Sequence, residues 1–329
     1  MTEKNLLTAV RDALHDEMVD DDRIVLLGED VGTRGGVFRV SQGWMAEFGE
    51  ERVIDTPLAE SSIVGVAIGM ALHGLLPVAE IQFADFIHAA YDQIASEAAR
   101  IRYRSNGDFG CPLVIRTPCG GGVHGALYHS QSIEATYAHV PGLKVVMPST
   151  PADAAGLLRS ALRDPDPVIY LEHKKAYRAV TGDVPDTYHT TPIGVADVKR
   201  KGTDLSVITY GYELHRCLDA AARLADDEGL SIEVVDVRTL APLDLDTIVA
   251  SVRTTSKALV VYEDNRTYGA GAEIAAAIAE AVFFDLDAPV MRIGGPDIPA
   301  MPFAAPLEHA FLEPEPDHLY RAMRALAAA

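Results

Sequence analysis

Two imidazoles and several small hydroxyl and amide side chains share one stretch, His124-Gly125-Ala126-Leu127-Tyr128-His129-Ser130-Gln131-Ser132, directly after Gly120-Gly121-Gly122. Glycine lets such backbone bend close to a ligand, and imidazole is the side chain that changes charge near neutral pH. Upstream, Pro57-Leu58-Ala59-Glu60 sets one carboxylate immediately before an apolar helical stretch. A lone carboxylate at a helix start together with a histidine-bearing glycine loop is a constellation an active site would use. Each part also has a plainer reading. Glu60 alone suits the positive end of a helix dipole. His129 alone suits an ordinary loop, and Asp85, Asp92 and Glu97 suit a solvated helix face.

Other chemistries are weaker. Gly120-Gly121-Gly122-Val123-His124-Gly125 has the glycine spacing of a dinucleotide turn. Such a turn needs an acidic residue about 20 positions on, at a strand end. Here that region reads Leu143-Lys144-Val145-Val146-Met147 and holds no acid. A nicotinamide-dependent dehydrogenase is therefore a minor alternative. His124 and His129 stand five apart without a zinc-type H-E-x-x-H motif, and no G-x-S-x-G or phosphate-loop motif occurs.

The elements that must position these groups alternate almost throughout. Apolar runs at Ile24–Leu27, Pro77–Phe83, Pro112–Thr117, Leu143–Met147 and Val168–Leu171 read as strands, and Ser61–Leu72, His88–Arg104 and Pro151–Arg163 as helices. Continuous apolar strands between helices imply a parallel sheet covered on both faces. Residues 178 to 203 are polar and turn-rich and read as a connection. Alternation resumes with strands at Leu205–Tyr210, Ile232–Val237, Ala258–Tyr262 and Pro289–Ile293, and helices near Glu213–Asp227, Leu245–Arg253 and Gly271–Phe284. The expected architecture is two parallel-sheet α/β domains, 1–180 and 204–329, joined by a linker over 181–203. Gly65 and Gly69 lie on one face of the helix after Glu60, which suggests close approach by another helix or a ligand, or tight packing within the domain. The tail Ala327–Ala329 is expected to fray.

The chain has 329 residues, 48% of them hydrophobic, which suits an ordinary globular protein. No apolar run is long enough to span a membrane. Cys111, Cys119 and Cys217 form no C-x-x-C pair, which argues for a reducing cytoplasm rather than a disulfide framework. With 48 acidic and 28 basic residues the net charge is −20, which disfavours nucleic acid and anionic lipid as partners.

Five segments then occur in order: Gly28-Glu29-Asp30-Val31-Gly32, Arg52 to Glu60, Ala79-Glu80-Ile81-Gln82-Phe83-Ala84-Asp85-Phe86, His124 to Ser132, and Pro141 to Pro148. Together they resemble the β chain of the thiamine-diphosphate-dependent 2-oxo acid dehydrogenases, of branched-chain, pyruvate or acetoin type, over essentially the whole chain. The resemblance implies a transketolase-like pyrimidine-binding domain followed by a transketolase C-terminal-like domain. It implies that Glu60 bonds the aminopyrimidine ring with a raised pKa, that Leu58, Gln82 and Phe86 line that ring, and that His129 faces substrate and lipoyl group. Glu29 matches an acid on a proton path between paired sites. Phe86 stands where relatives often carry tyrosine, so a hydroxyl contact is lost. A monovalent cation, K+, is implied near Leu113, Val114 and the segment from Ala161 through Asp164 to Asp166. The Gly-Asp-Gly motif that holds the diphosphate and its Mg2+ in this cofactor class is absent. The diphosphate and metal are therefore expected on an α subunit, in an α2β2 tetramer that acylates a lipoyl acyltransferase core. A non-catalytic β-like interaction subunit is the alternative.

Overall fold

The computed structural model describes residues 1–313 and 317–329. It divides into two compact units: 1–119 with 136–193, and 120–135 with 194–329. The glycine and histidine stretch thus belongs to the second unit, although it lies inside the sequence span 1–180.

In the first unit, strands β2 (Ile24–Gly28), β3 (Val53–Asp55), β4 (Leu76–Glu80), β5 (Val114–Cys119), β6 (Lys144–Val146) and β7 (Val168–His173) form a parallel sheet in the order β6-β7-β5-β4-β2-β3. β2 and β5 are buried along their whole length, as fully covered parallel strands must be. Helix α1 (Leu6–Asp20) packs on α3 (Pro151–Leu162), and α2 (Glu60–Leu72) packs on β4. Asn5 caps α1 through the Thr8 N–H, and Thr150 caps α3 with Pro151 in the first turn.

The chain leaves β2 for β3 on one side and returns to β4 on the other. That reversal opens a crevice beyond the carboxyl ends of β2 and β4, where open α/β sheets bind ligands. Gly28, Asp55 and Glu80 end the three strands around it.

Several expectations are corrected. The stretch read as a connection contains β8 (Thr181–Val184), antiparallel to β1 (Thr2–Asn5), and β9 (Asp197–Arg200). Both strands are short and polar, so neither shows an apolar period. The helical run over His88–Arg104 is present but irregular, with 3-10, π and α turns in succession from Ala84 to Arg104. A Cβ on Gly65 would meet Gln93 Cγ at 3.7 Å, an ordinary contact, and one on Gly69 would meet nothing within 4 Å. Packing within the unit therefore requires neither glycine.

The second unit holds the sheet β14-β13-β10-β11-β9, built from β10 (Leu205–Thr209), β11 (Ile232–Asp236), β13 (Ala258–Asn265) and β14 (Met291–Gly295), with β12 (Thr239–Ala241) following β11 in sequence. Four strands of that sheet are parallel, and β9 pairs antiparallel with β11 at the edge. Helices α4 (Glu213–Glu228), α5 (Leu245–Thr255), α6 (Ala270–Val282), α7 (Ala305–Leu312) and α8 (His318–Ala327) complete it. Leu214, Cys217, Ala221 and Leu224 recur at helical spacing on α4 and pack on Val207, Val234 and Leu259. Leu319 and Met323 of α8 join the same core, and so does Ala327, which is buried rather than frayed. None of the three cysteines forms a disulfide, and all three are buried.

Candidate active site

Glu60 is the first residue of α2, with no side-chain cap before it. Its carboxylate therefore sits at the exposed N–H end of the helix, where the dipole favours negative charge. Glu60 is half-buried and Leu58 is 79% exposed, so the wall around them is open rather than closed.

Glu29 follows β2 at the neighbouring strand end. Burial raises its carboxyl above the usual range, and the negative charges of Glu60 and then Asp30 raise it further. The two carboxylates therefore feel one another, and protonation of Glu29 relieves the repulsion. Gln82, two residues past β4, reaches toward the Glu29 carbonyl at 3.4 Å. Phe86 packs edge-on against Phe83, with ring centroids 5.9 Å apart. The structure thus gathers Glu29, Glu60, Gln82 and Phe86 around the carboxyl edge of β2, β3 and β4.

Two carboxylate systems hold this edge. Asp55 accepts the Gly32 and Thr33 N–H groups at 2.6 and 2.9 Å, fixing the loop that begins at Glu29. Burial pushes its carboxyl up, but the backbone bonds outweigh burial and leave it below the usual range. Beneath Gln82, buried Arg116 joins three strands. It grips Glu172 of β7 through two bonds of 2.8 and 2.7 Å and also bonds Glu80 of β4. The Tyr177 hydroxyl donates to Glu172 at 2.7 Å. Burial nevertheless raises the Glu80 carboxyl, against the pull of Arg116, and the charge of Glu172 raises it further. A Cβ on Gly36, whose φ is +78°, would lie 2.9 Å from the Glu80 carboxylate, so the loop rests directly on this network.

In the second unit, the 120–132 loop is a closed turn: the Gly120 N–H donates to the Gln131 carbonyl at 2.9 Å. Gly120, Gly122, His124 and Ala126 all have positive φ, at 77°, 81°, 58° and 58°. Left-handed backbone at the last two, which are not glycine, costs about 1–3 kcal/mol each. The alternation turns successive N–H groups toward one point, an anion-binding nest. Protein carboxylates fill that nest. Gly121 donates to Glu263 at 2.7 Å, and Gly122 and His124 donate to Glu308 at 2.9 and 3.1 Å. The dinucleotide alternative fails here, since the N–H groups that would meet a pyrophosphate already bond Glu263 and Glu308. His129 is half-buried at the end of this loop.

The residues expected near a monovalent cation are engaged by side-chain cations. Asp164 is bonded by Lys144 at 2.6 and 2.5 Å, and Asp166 by Arg102 at 2.6 Å. The Leu113 carbonyl accepts the Val168 N–H at 2.9 Å, and the Ala161 carbonyl accepts the Asp164 N–H at 3.2 Å. Among the described residues, no three His, Cys, Asp or Glu side chains converge as a metal site needs, and no helix is long and apolar enough to cross a membrane.

Sequence reasoning missed Glu263, Glu308, Arg116 and the buried Glu134. Glu263-Asp264 ends an apolar run, and acids at the carboxyl end of a buried strand are a usable signal. Glu308 sits in a short helix without a marked period and gave none.

Residues 3–180 match the transketolase pyrimidine binding domain, and residues 194–319 match the transketolase C-terminal domain. The split gene transketolase solved as an inactive beta4 tetramer shares the fold, with TM-score 0.75 at 23% identity and 98% of each chain covered. Fold and domain matches define a transketolase-type protein of two α/β domains. The chain is 55% identical over 327 residues to the 2-oxoisovalerate dehydrogenase subunit beta of Bacillus subtilis (strain 168), covering 99% of both chains. It is 50% identical over 297 residues to the pyruvate dehydrogenase E1 component subunit beta of the same strain, covering 90% of this chain and 91% of that one. The chain belongs to the 2-oxo acid dehydrogenase E1 β-subunit family.

Proposed function

We propose that the chain supplies the pyrimidine half of a thiamine diphosphate site and, joined to an α subunit, decarboxylates a 2-oxo acid and passes the acyl group to lipoyl groups of an acyltransferase core. The observation that carries this reading is Glu60, a half-buried carboxylate at a helix start, beside Glu29, whose carboxyl is raised by burial and by the Glu60 charge, at the crevice between β2 and β4. Higher identity over more of the chain favours a branched-chain 2-oxo acid over pyruvate.

The residues present fit the aminopyrimidine portion of the cofactor: an acid for a ring nitrogen, an aromatic side chain in Phe86, and Gln82 held near Glu29. They do not fit its diphosphate and Mg2+, for which the chain offers no converging metal ligands among the described residues. We assign those to the α subunit. The cofactor supplies a carbanion and an electron sink when bound. With the cofactor bound, Glu60 would hydrogen-bond the pyrimidine ring and hold or return a proton, and Glu29 would relay a proton to and from Glu60. His129 acts as general acid during acyl transfer. A K+ near Asp164 and Asp166 would have to use backbone carbonyls, because both carboxylates are ion-paired. The α subunit covers the apolar face of α2, where Val66 and Leu72 are 52% and 49% exposed. We place the assembly in the cytoplasm.

The test is reconstitution with an α chain and assay against a panel of 2-oxo acids. Decarboxylation that needs both chains, thiamine diphosphate and Mg2+ is expected, with 2-oxoisovalerate preferred. Cofactor-dependent turnover by neither chain nor mixture would favour a non-catalytic β-like subunit.

A further inference from the structure

We propose that Glu308 is a positioning residue for the histidine loop: its buried carboxylate sets the backbone that carries His129. The inference rests on the role given to His129 above, and its geometry lies wholly within the second unit. Glu308 projects from α7 and is 2% exposed. It accepts the N–H groups of Gly122 and His124 and pairs with His124 Nδ1 at 2.6 Å. One carboxylate thus holds three donors on two residues whose backbone lies in the left-handed region. Without a buried anion to receive them, those N–H groups would not share one direction.

The constraint reaches His129 through Gly125. A Cβ there would lie 2.5 Å from the His129 carbonyl and 2.8 Å from Ser130 Oγ. The chain therefore doubles back at Gly125 directly onto His129, and a shift of residues 122–124 moves the histidine. Glu263 fixes the two ends of the same turn, accepting from Gly121 N–H at 2.7 Å and Ser132 Oγ at 3.3 Å. The side chain of Met301 fills the space a Cβ on Gly121 would need. The triple glycine is thus shaped for the protein's own carboxylates and methionine. Glu308 touches neither substrate nor cofactor in this account; it acts through the loop.

The experiment compares Glu308→Ala, Glu308→Gln and Glu308→Asp with His129→Ala in the enzyme reconstituted with its α chain. Amide hydrogen exchange over residues 120–132 is read beside two rates, dye reduction and lipoyl-dependent acyl transfer. In Glu308→Ala, exchange at Gly122 and His124 should rise at least about tenfold, as expected when a local opening is freed. The lipoyl-dependent rate should fall about tenfold further than dye reduction, a smaller loss than the roughly 10²–10⁴-fold of removing a general acid outright. Glu308→Asp should restore part of both. Glu308→Gln, which keeps the shape and one acceptor, serves if the alanine variant fails to fold. Unchanged exchange in this loop with unchanged rates overturns the proposal, and so does an equal loss in both assays that aspartate does not rescue. If His129→Ala retains full lipoyl-dependent activity, the role of His129 falls, while the exchange data still decide whether Glu308 holds the loop.

Discussion

Several acids of the first unit are paired with a buried or half-buried cation. Glu80 and Glu172 share Arg116, and Asp164 and Asp166 have Lys144 and Arg102. Glu60 instead lies near Glu29, whose carboxyl is raised by burial and then by the charge of Glu60. Glu60→Gln keeps the shape and removes the proton holder. In the reconstituted enzyme it should lower turnover about 10²–10⁴-fold with the melting temperature nearly unchanged, as steady-state kinetics beside thermal unfolding would show. Near-normal decarboxylation would remove Glu60 from the mechanism. His129→Ala should impair lipoyl acylation at least as much as dye reduction, and unchanged rates in both would make it a structural loop residue. Glu60 and His129 were legible in the sequence because a carboxylate before an apolar helix and a histidine after glycines are local patterns. Their supports were not, because Arg116–Glu172 and Gly122–Glu308 join residues 56 and 186 positions apart.

At the scale of elements, strand ends do the positioning. Arg116 binds β5 to β4 and β7 directly under the Gln82 turn. Arg116→Met would leave Glu80 and Glu172 buried without their cation, a loss of about 3–5 kcal/mol. Denaturant unfolding should show it, and a change below about 1 kcal/mol would mean that water reaches the network. Thr150 caps α3, accepting the Asp153 N–H at 3.3 Å and donating to its carboxylate at 2.8 Å. Thr150→Ala should cost about 1 kcal/mol, small beside the Arg116 change because a neutral cap rather than a buried charge is lost. The apolar runs and helical stretches named from the sequence coincide with elements of the structure, whereas α1, β3, β12, α7 and α8 were not read. Nor were β1, β8 and β9, since short polar edge strands bury too little to leave a pattern. The irregular turns from Ala84 to Arg104 were equally silent, because their apolar content is that of an ordinary helix.

At the scale of the whole molecule, buried acid without compensation shapes the pH response. Glu134 is buried, accepts the Tyr210 hydroxyl at 3.0 Å, and has a carboxyl pushed up first by burial and then by the charge of Asp264. Asp264 is raised too, chiefly by burial. A carboxyl raised in the folded state binds more protons there than in the unfolded chain. Its contribution therefore favours folding in acid and is lost as pH climbs from the ordinary carboxylate range toward alkaline values. Glu134→Gln keeps an acceptor for Tyr210 and should flatten this decline, raising the melting temperature at alkaline pH by a few degrees, on the order of 2–4 °C per kcal/mol. A melting temperature with the same pH slope in both proteins would show that water already reaches Glu134.

The central claim is that this chain carries one half of a cofactor site, and calorimetric titration tests it most directly. Thiamine diphosphate with Mg2+ is titrated into the chain alone and into the chain assembled with an α subunit. The account predicts no tight binding to the chain alone and binding at one cofactor per αβ pair in the assembly. The assembly's melting temperature should then rise with cofactor concentration, as linkage requires. Tight, Mg2+-dependent binding to the chain alone would contradict it.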